Sequence, residues 1–155
     1  TMVTLPVTNL LLQDAQTGST PRQRGLTLVK EARERGIPLL VASDNVQDPF
    51  CPVGSFDPLE ALATGVLAAQ LDAPFDQWSE SLCRTDWLRT GRTGTTALPL
   101  QPGTVADLLL FTQADHWGFP SRAQSRVVLR QGRVASGHAP AAWHVPTTQS
   151  ARSLA

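Results

Sequence analysis

The residues best suited to chemistry follow a single apolar run. Residues 39–42 are uninterrupted hydrophobic side chains, and Ser43, Asp44 and Asn45 come directly after them. A run with no polar alternation is typical of a strand covered on both faces, as in a parallel α/β sheet. The carboxyl end of such a strand is where α/β folds keep their catalytic groups. Asp44 is therefore the first catalytic candidate, although the alternative that Asp44 or Asn45 only caps the next turn is equally open.

Two further residues extend this candidate site, because Asp48 and Phe50 lie just beyond Asn45. The set suits a hard or borderline metal ion and a planar polar substrate, with the missing metal ligands supplied from elsewhere. Ser43 lacks the GxSxG context of a serine hydrolase, and no glycine cluster has the setting of a phosphate loop. The histidines form no HxH or HExxH pair and are interpreted as surface or loop residues: His116, His138 and His144.

Composition narrows the class of protein. The 155 residues suffice for one domain with a core, and the formal net charge is zero with scattered cations, which argues against a nucleic-acid partner. Cys51 and Cys83 lack CxxC spacing and are predicted to be free thiols. No signal peptide, lipidation motif or membrane-spanning run is evident, so we expect a cytoplasmic chain with no membrane partner. Thr1 precedes Met2, which suggests a beginning cut from a longer sequence.

The first part of the chain has the pattern of a strand–helix–strand unit. Residues 2–12 are rich in valine and threonine and predict a strand. Thr27 is placed to cap a helix over residues 27–35, and Gly36 is its expected end. Joined to the buried run, these elements predict a βαβ unit with parallel strands.

The remaining elements follow from local signals. Asp57 and Pro58 predict the start of a helix, and a further helix is predicted over residues 76–88, whose tryptophans are interpreted as packing residues. Short β-type runs then follow, of which the last two flank a tight hairpin at Arg130-Gln131-Gly132: residues 106–111, 126–129 and 133–135. Residues 138–155 have no periodicity and are predicted to form an irregular tail.

Several spaced motifs resemble the cytosine deaminase branch of the amidohydrolase superfamily. The resemblance rests on LPVTNLLLQD at residues 5–14, PRQRG at 21–25 and VASDNVQDPF at 41–50. GTVADLLLF at 103–111 and VVLRQGRV at 127–134 resemble the closing β-sandwich strands of the superfamily. These motifs occur in the family's order and cover about residues 1 to 137.

The resemblance implies an α/β fold, the C-terminal part of a metal-dependent (β/α)₈ TIM barrel with C-terminal strands of a small β-sandwich. Residues 1–92 would hold the last strand–helix units, 93–137 the sandwich strands and 138–155 the tail. The family's HxH motif, glutamate and later histidine ligands have no counterpart here. They would come from a missing N-terminal barrel portion, in the same or a second chain, and the oligomeric state, a homo-oligomer included, stays open.

The same resemblance implies residue roles and an activity. Asp44 would bind one divalent metal ion, zinc or iron, and take a proton from its water, while Asn45 and Phe50 would contact a small heterocyclic substrate. The enzyme would deaminate cytosine or a related aminopyrimidine or triazine through attack of metal-bound hydroxide. Family members often have Asp in place of Asn45 and Trp in place of Phe50, which leaves the exact ring open. The alternative is a truncated, non-catalytic chain that serves as a structural or assembly partner.

Overall fold

The computed structural model describes residues 1–23, 25–73, 75–90, 101–111 and 125–137. Arg24, His116, His138, His144 and the predicted tail over residues 138–155 lie outside the described residues. The chain divides into two compact units, Thr1–Ala97 and Leu98–Ala155, which we call the first and the second unit.

A pair of parallel strands forms the centre of the first unit. Strand β1 (Met2–Thr4) pairs with β2 (Leu39–Val41), with Met2 opposite Leu39. All three residues of β2 are buried, as expected of a strand covered on both faces. The predicted parallel pairing is confirmed, and so is the buried run that leads to Asp44.

The first strand is shorter than predicted, because residues 2–12 do not form one strand. The strand ends at Thr4, and helix α1 (Pro6–Leu12) begins two residues later. Proline suits the first turn of a helix, since its fixed φ is helical and its missing N–H needs no partner there. The N–H of Asn9 donates to the carbonyl of Leu5 at 2.9 Å, which closes the first turn. The strand prediction for the second half of this segment was therefore wrong.

Helix α2 (Val29–Glu34) lies between the two parallel strands in sequence and buries Val29 and Ala32. The predicted cap was wrong, because the N-cap residue is Leu28 and no side chain caps the helix. The Thr27 hydroxyl instead accepts a hydrogen bond from the hydroxyl of Thr4 at 3.3 Å. The predicted end is confirmed, since Gly36 follows the helix with a φ of 67°.

Helix α3 (Pro58–Ala68) begins as predicted, because the Asp57 side chain accepts the N–H of Leu59 at 3.1 Å. It packs closely against α1: a Cβ added at Gly65 would lie 3.3 Å from Cγ of Pro6. A glycine at this position therefore lets the two helices approach each other.

The predicted helix over residues 76–88 is broken into three short pieces. A 3₁₀ turn (Phe75–Trp78) is followed by α4 (Glu80–Cys83) and α5 (Trp87–Thr90). At the break, the buried Arg84 pairs with Asp86 at 2.9 Å, and its guanidinium lies over the ring of Trp87. Trp78 and Trp87 are both buried, which confirms their interpretation as packing residues.

The second unit contains an antiparallel sheet in the order β3 (Leu108–Phe111), β4 (Arg126–Arg130) and β5 (Arg133–Ser136). Its buried side chains include Val127 and Leu129. Gln131 and Gly132 join β4 and β5 with φ values of 51° and 76°. Positive φ at both central residues is the geometry of a type I′ hairpin turn, so the predicted hairpin is confirmed.

No helix in the described ranges is long and apolar enough to cross a bilayer. Cys51 and Cys83 are both free thiols, as predicted.

Candidate active site at the end of strand β2

The two parallel strands place their carboxyl ends at the same edge of the sheet. The N–H of Ala42 donates to the carbonyl of Thr4 at 3.0 Å, which continues the pairing one residue beyond β2. The buried hydroxyl of Thr8, on α1, then donates to the carbonyl of Ser43 at 3.4 Å. The chain is thus anchored up to the residue before Asp44, and the loop that follows starts from a fixed point.

Asp44 combines solvent exposure with an uncommon backbone conformation. Its φ is 61°, in the left-handed region that few non-glycine residues adopt, although aspartate tolerates it better than most. Within the part of the chain that the structure describes, its carboxylate forms no hydrogen bond or ion pair. Asp44 therefore does not cap the following turn, and both of its oxygens are available to a ligand.

Asp48 carries the hydrogen bonds that close this loop. Its carboxylate accepts hydrogen bonds from the backbone N–H of Phe50 at 2.9 Å and from that of Cys51 at 2.8 Å. It also accepts a hydrogen bond from the side-chain amide of Asn45. The N–H of Asp48 donates in turn to the carbonyl of Cys51 at 3.1 Å. The pKa of Asp48 is lowered, mainly by the hydrogen bond from Asn45 and then by those from the backbone.

The loop is held from two further directions. The Cys51 side chain is fully buried and anchors the loop to the first unit. Gln47, with a φ of 52°, donates from its side-chain amide to the carbonyl of Gly54 at 3.2 Å. The segment from Asp44 to Gly54 is therefore an ordered loop with its own hydrogen bonds.

The structure brings Asn45 and Asp48 together, whereas Phe50 projects outward. Phe50 is 72% exposed, so its ring is free to contact a molecule at the mouth of the strand pair. Asp48 belongs to the candidate set predicted from the sequence, but its part in closing the loop was not predicted. The available signal was the Asp48-Pro49 pair, because an aspartate side chain often accepts backbone N–H groups a few residues ahead in a turn.

The donor set of the described residues fits one ligand of a divalent ion. Asp44 offers an unpartnered carboxylate, a donor that zinc and iron both accept. Across the described ranges, no group of three or more His, Cys, Asp or Glu side chains is close enough to hold a metal ion. A small apolar cavity of the first unit is lined by other residues, Thr4, Pro6, Val41 and Trp78 among them, and not by Asp44.

The chain is similar to known deaminases in sequence and in fold. No family model matches the chain. Its sequence is 42% identical over 135 residues to a pterin deaminase of Rhizobium rhizogenes, a match that covers 86% of this chain and 30% of that relative. Its fold matches 5-methylcytosine deaminase of Klebsiella pneumoniae liganded with 5-fluorocytosine, with a TM-score of 0.62 and 24% identity. The predicted resemblance is confirmed as a similarity to deaminases, in sequence to a pterin deaminase and in fold to 5-methylcytosine deaminase.

These matches cover most of this chain but only about a third of each relative. The fold match covers 93% of this chain and 34% of 5-methylcytosine deaminase. The same enzyme liganded with phosphonocytosine gives a TM-score of 0.62 over 89% of this chain and 34% of that chain. The chain thus spans about a third of the length of its deaminase relatives. The roles of Asp44, Asn45 and Phe50 stay predictions.

Proposed function

We propose that this chain is the C-terminal part of a metal-dependent amidohydrolase that removes the exocyclic amine from an aminopyrimidine ring by hydrolysis. In this proposal residues 1–92 are the last strand–helix units of a (β/α)₈ barrel, and residues 93–137 are strands of its β-sandwich. The observation that carries the proposal is an unpartnered Asp44 carboxylate at the end of a parallel strand, in a chain 42% identical to part of a pterin deaminase.

The proposed substrate class follows from the relatives and from the site. A pterin contains an aminopyrimidine ring fused to a second ring, whereas 5-methylcytosine is a single aminopyrimidine ring. The shared feature is an amine on a planar pyrimidine, and that feature defines the class. Cytosine and a pterin are the two substrates to test first, followed by a triazine.

Asp44 has two roles in this proposal. Its carboxylate is one ligand of a zinc or iron ion, and it accepts the proton that the nucleophilic water loses. When bound, the ion lowers the pKa of water towards about 7 and so makes a nucleophile available at neutral pH. The remaining ligands come from a barrel portion outside these residues, in the same or a second chain.

Asn45 and Phe50 complete the substrate contacts. Asn45 is beside Asp44 and offers an amide to the polar edge of the ring. Phe50 is exposed on the same loop and offers an apolar face on which a planar ring can stack. The loop that Asp48 closes positions both residues.

Exposed apolar side chains of the first unit support a larger assembly around it. In the described residues each strand of the β1–β2 pair has one edge without a strand partner, and Val3 on β1 is 43% exposed. Large apolar side chains are rarely left together on the surface of a soluble domain. The other exposed ones in this unit include Leu28, Phe56, Leu67 and Leu88. Further barrel strands and helices would cover such a surface.

A chimaera tests the proposal directly. The full chain replaces the 135 matched residues of the pterin deaminase relative, and Asp44→Asn is then introduced. We expect the chimaera to deaminate a pterin or cytosine, and we expect Asp44→Asn to lower kcat by about 100-fold or more with loss of bound metal. Asp72→Asn is the matched control, because the Asp72 carboxylate forms a surface ion pair with Lys30 at 3.0 Å, and the Asp72 carbonyl that accepts the indole N–H of Trp78 is unchanged by the substitution.

Two results would contradict the proposal. Unchanged turnover and metal content in Asp44→Asn would remove Asp44 from the site. A chimaera that folds and binds metal but deaminates none of these rings would instead favour the alternative of a non-catalytic assembly partner.

A further inference from the structure

We infer that Asp48 is a positioning residue that fixes the amide of Asn45 with its oxygen outward, so that the site selects a ring that donates a hydrogen bond at this position. The inference deepens the proposed function and rests on it for the identity of the ligand. It concerns a residue, Asp48, that contacts Asn45 and two backbone N–H groups of the same loop.

The direction of the Asn45–Asp48 hydrogen bond decides which end of the amide faces outward. An ionised carboxylate only accepts hydrogen bonds, so the amide group that faces Asp48 is the Nδ2 amine. Asp48 is held in the ionised form, because the hydrogen bonds from Asn45 and from the backbone lower its pKa. The Oδ1 atom of Asn45 then points away from Asp48, and no described residue donates to it.

Asn45 cannot reverse its amide at little cost while Asp48 remains a carboxylate. A reversed amide would place Oδ1 against Oδ2 of the Asp48 carboxylate and leave the amine without this partner. Asp48 in turn is fixed by the N–H groups of Phe50 and Cys51, and Cys51 is fully buried. The polarity of the Asn45 amide is thus set by a residue outside the substrate contacts.

A fixed acceptor selects among ring edges. A ring N–H or an exocyclic amine can donate to Oδ1 of Asn45, whereas a bare ring nitrogen would meet it as a second acceptor. A site that offers an acceptor rejects a mismatched edge because a buried polar pair is then left unsatisfied. Rings that present an N–H or an exocyclic amine at this position are therefore preferred over rings that present a bare ring nitrogen.

The first experiment measures the orientation in the 155-residue chain by NMR. The chain contains two asparagines, Asn9 and Asn45, so their side-chain amide signals can be separated and Asn9 serves as an internal reference. We expect an Asn45 amide proton to lie downfield and to exchange slowly with solvent, and to lose both properties in Asp48→Ala. An Asn45 amide that matches Asn9 in the unsubstituted chain would overturn the inference whatever the activity of the enzyme.

The second experiment measures selectivity in the chimaera described above. The probes are two competitive inhibitors without an exocyclic amine: 4-pyrimidinone, which has a ring N–H, and pyrimidine, whose ring nitrogens only accept. In Asp48→Asn the new amide can donate to Oδ1 of Asn45 and turn the Asn45 amine outward. We expect the ratio of the two inhibition constants to shift in favour of pyrimidine by on the order of tenfold to a hundredfold.

A double substitution distinguishes positioning from a merely structural role. In Asn45→Asp with Asp48→Asn, the carboxylate at position 45 accepts from the amide at position 48 and still presents an acceptor outward. We expect the original ratio of inhibition constants to return, whereas Asn45→Asp alone places two carboxylates side by side and weakens binding of both inhibitors. A loop that has only lost its structure would bind both rings less well and keep their ratio, which would overturn the inference. If the NMR result holds and no variant deaminates or binds any ring, the proposed function fails while the orientation of the amide stands.

Discussion

Replacing Asp44 by glycine should stabilise the chain while it removes the proposed metal ligand. Asp44 has a φ of 61°, and its carboxylate forms no hydrogen bond or ion pair with any described residue. Glycine adopts this conformation freely because it has no Cβ. The substitution Asp44→Gly therefore relieves a conformational cost without breaking a contact of the folded chain.

The size of the effect follows from two opposing terms. A left-handed conformation costs a non-glycine residue about 1–2 kcal/mol. Glycine loses more backbone freedom on folding, which costs about 0.5–1 kcal/mol. The central values of the two ranges differ by about 0.75 kcal/mol, so the expected gain in the free energy of unfolding is about 0.5–1 kcal/mol. For a unit of roughly 100 residues, this corresponds to a rise in Tm of about 2–8 °C.

Thermal and urea unfolding of the 155-residue chain measure this gain. The matched control is Gln70→Gly, because Gln70 has a φ of 50°, is exposed, and its side chain bonds to no described residue. Both substitutions should raise the midpoint, and Gln70→Gly should raise it more, because aspartate tolerates a left-handed conformation better than glutamine does. In the chimaera, only Asp44→Gly should lower turnover, since Gln70 follows α3 and has no part in the proposed site.

The two variants together distinguish a stabilising role of the Asp44 carboxylate from an error in the assumed conformational cost. A gain in Gln70→Gly together with a loss in Asp44→Gly would mean that the Asp44 carboxylate stabilises its own loop, as the turn-cap alternative requires. No gain in either variant would refute the estimate of the conformational cost itself.

Three further predictions concern the surroundings of the site. Asp57→Ala should lower the free energy of unfolding by about 1 kcal/mol, because the N–H of Leu59 loses its capping acceptor. Urea unfolding measures this loss, and an unchanged free energy of unfolding would contradict the capping role of Asp57. Iodoacetamide should label Cys83 but not the buried Cys51 in the folded chain, and equal labelling of both thiols would be inconsistent with the fold. The rate of Cys83 labelling should still rise above pH 9.0, because desolvation, and then Glu80, raises the pKa of the Cys83 thiol. Hydrogen bonds from Asn45, and then from the backbone, lower the pKa of Asp48 from its ordinary value of 3.8. The ionised Asp48 carboxylate should therefore stabilise the fold above pH 3.8, and this stabilisation should be lost as the pH falls through the lower pKa of the folded state. An NMR titration midpoint of Asp48 at or above 3.8 would disprove this prediction.

The parts of the fold that the sequence predicted are those with a strong local cause. Four apolar residues in succession require a covered strand, and the Asp57-Pro58 pair has both a capping oxygen and a helical φ. The Gln131-Gly132 turn was likewise specified by residues that tolerate positive φ. In each case the signal lies in residues that are adjacent in sequence.

The errors occurred where a distant partner or a competing local preference decided the structure. Thr27 does not cap α2, because its hydroxyl bonds to Thr4, 23 residues away in the chain. The β propensity of residues 2–12 is outweighed at Pro6, where a helix begins and packs against α3. The part of Asp48 in closing the loop was not predicted, because its partners Asn45, Phe50 and Cys51 converge on one carboxylate only in the folded loop.

The loop after β2 contains two carboxylates four positions apart, Asp44 and Asp48, which differ in their hydrogen bonding. Asp48 accepts hydrogen bonds from Asn45, Phe50 and Cys51, and these bonds determine the path of the loop. Asp44 accepts none from the described residues and stays in an unfavourable conformation. A strained residue persists only where the surrounding structure holds it, and here the anchored Ser43 carbonyl precedes it and the Asp48 turn follows it. Because Asp44 forms no contact with the described residues that would offset this strain, we predict that its carboxylate binds a ligand from outside the fold.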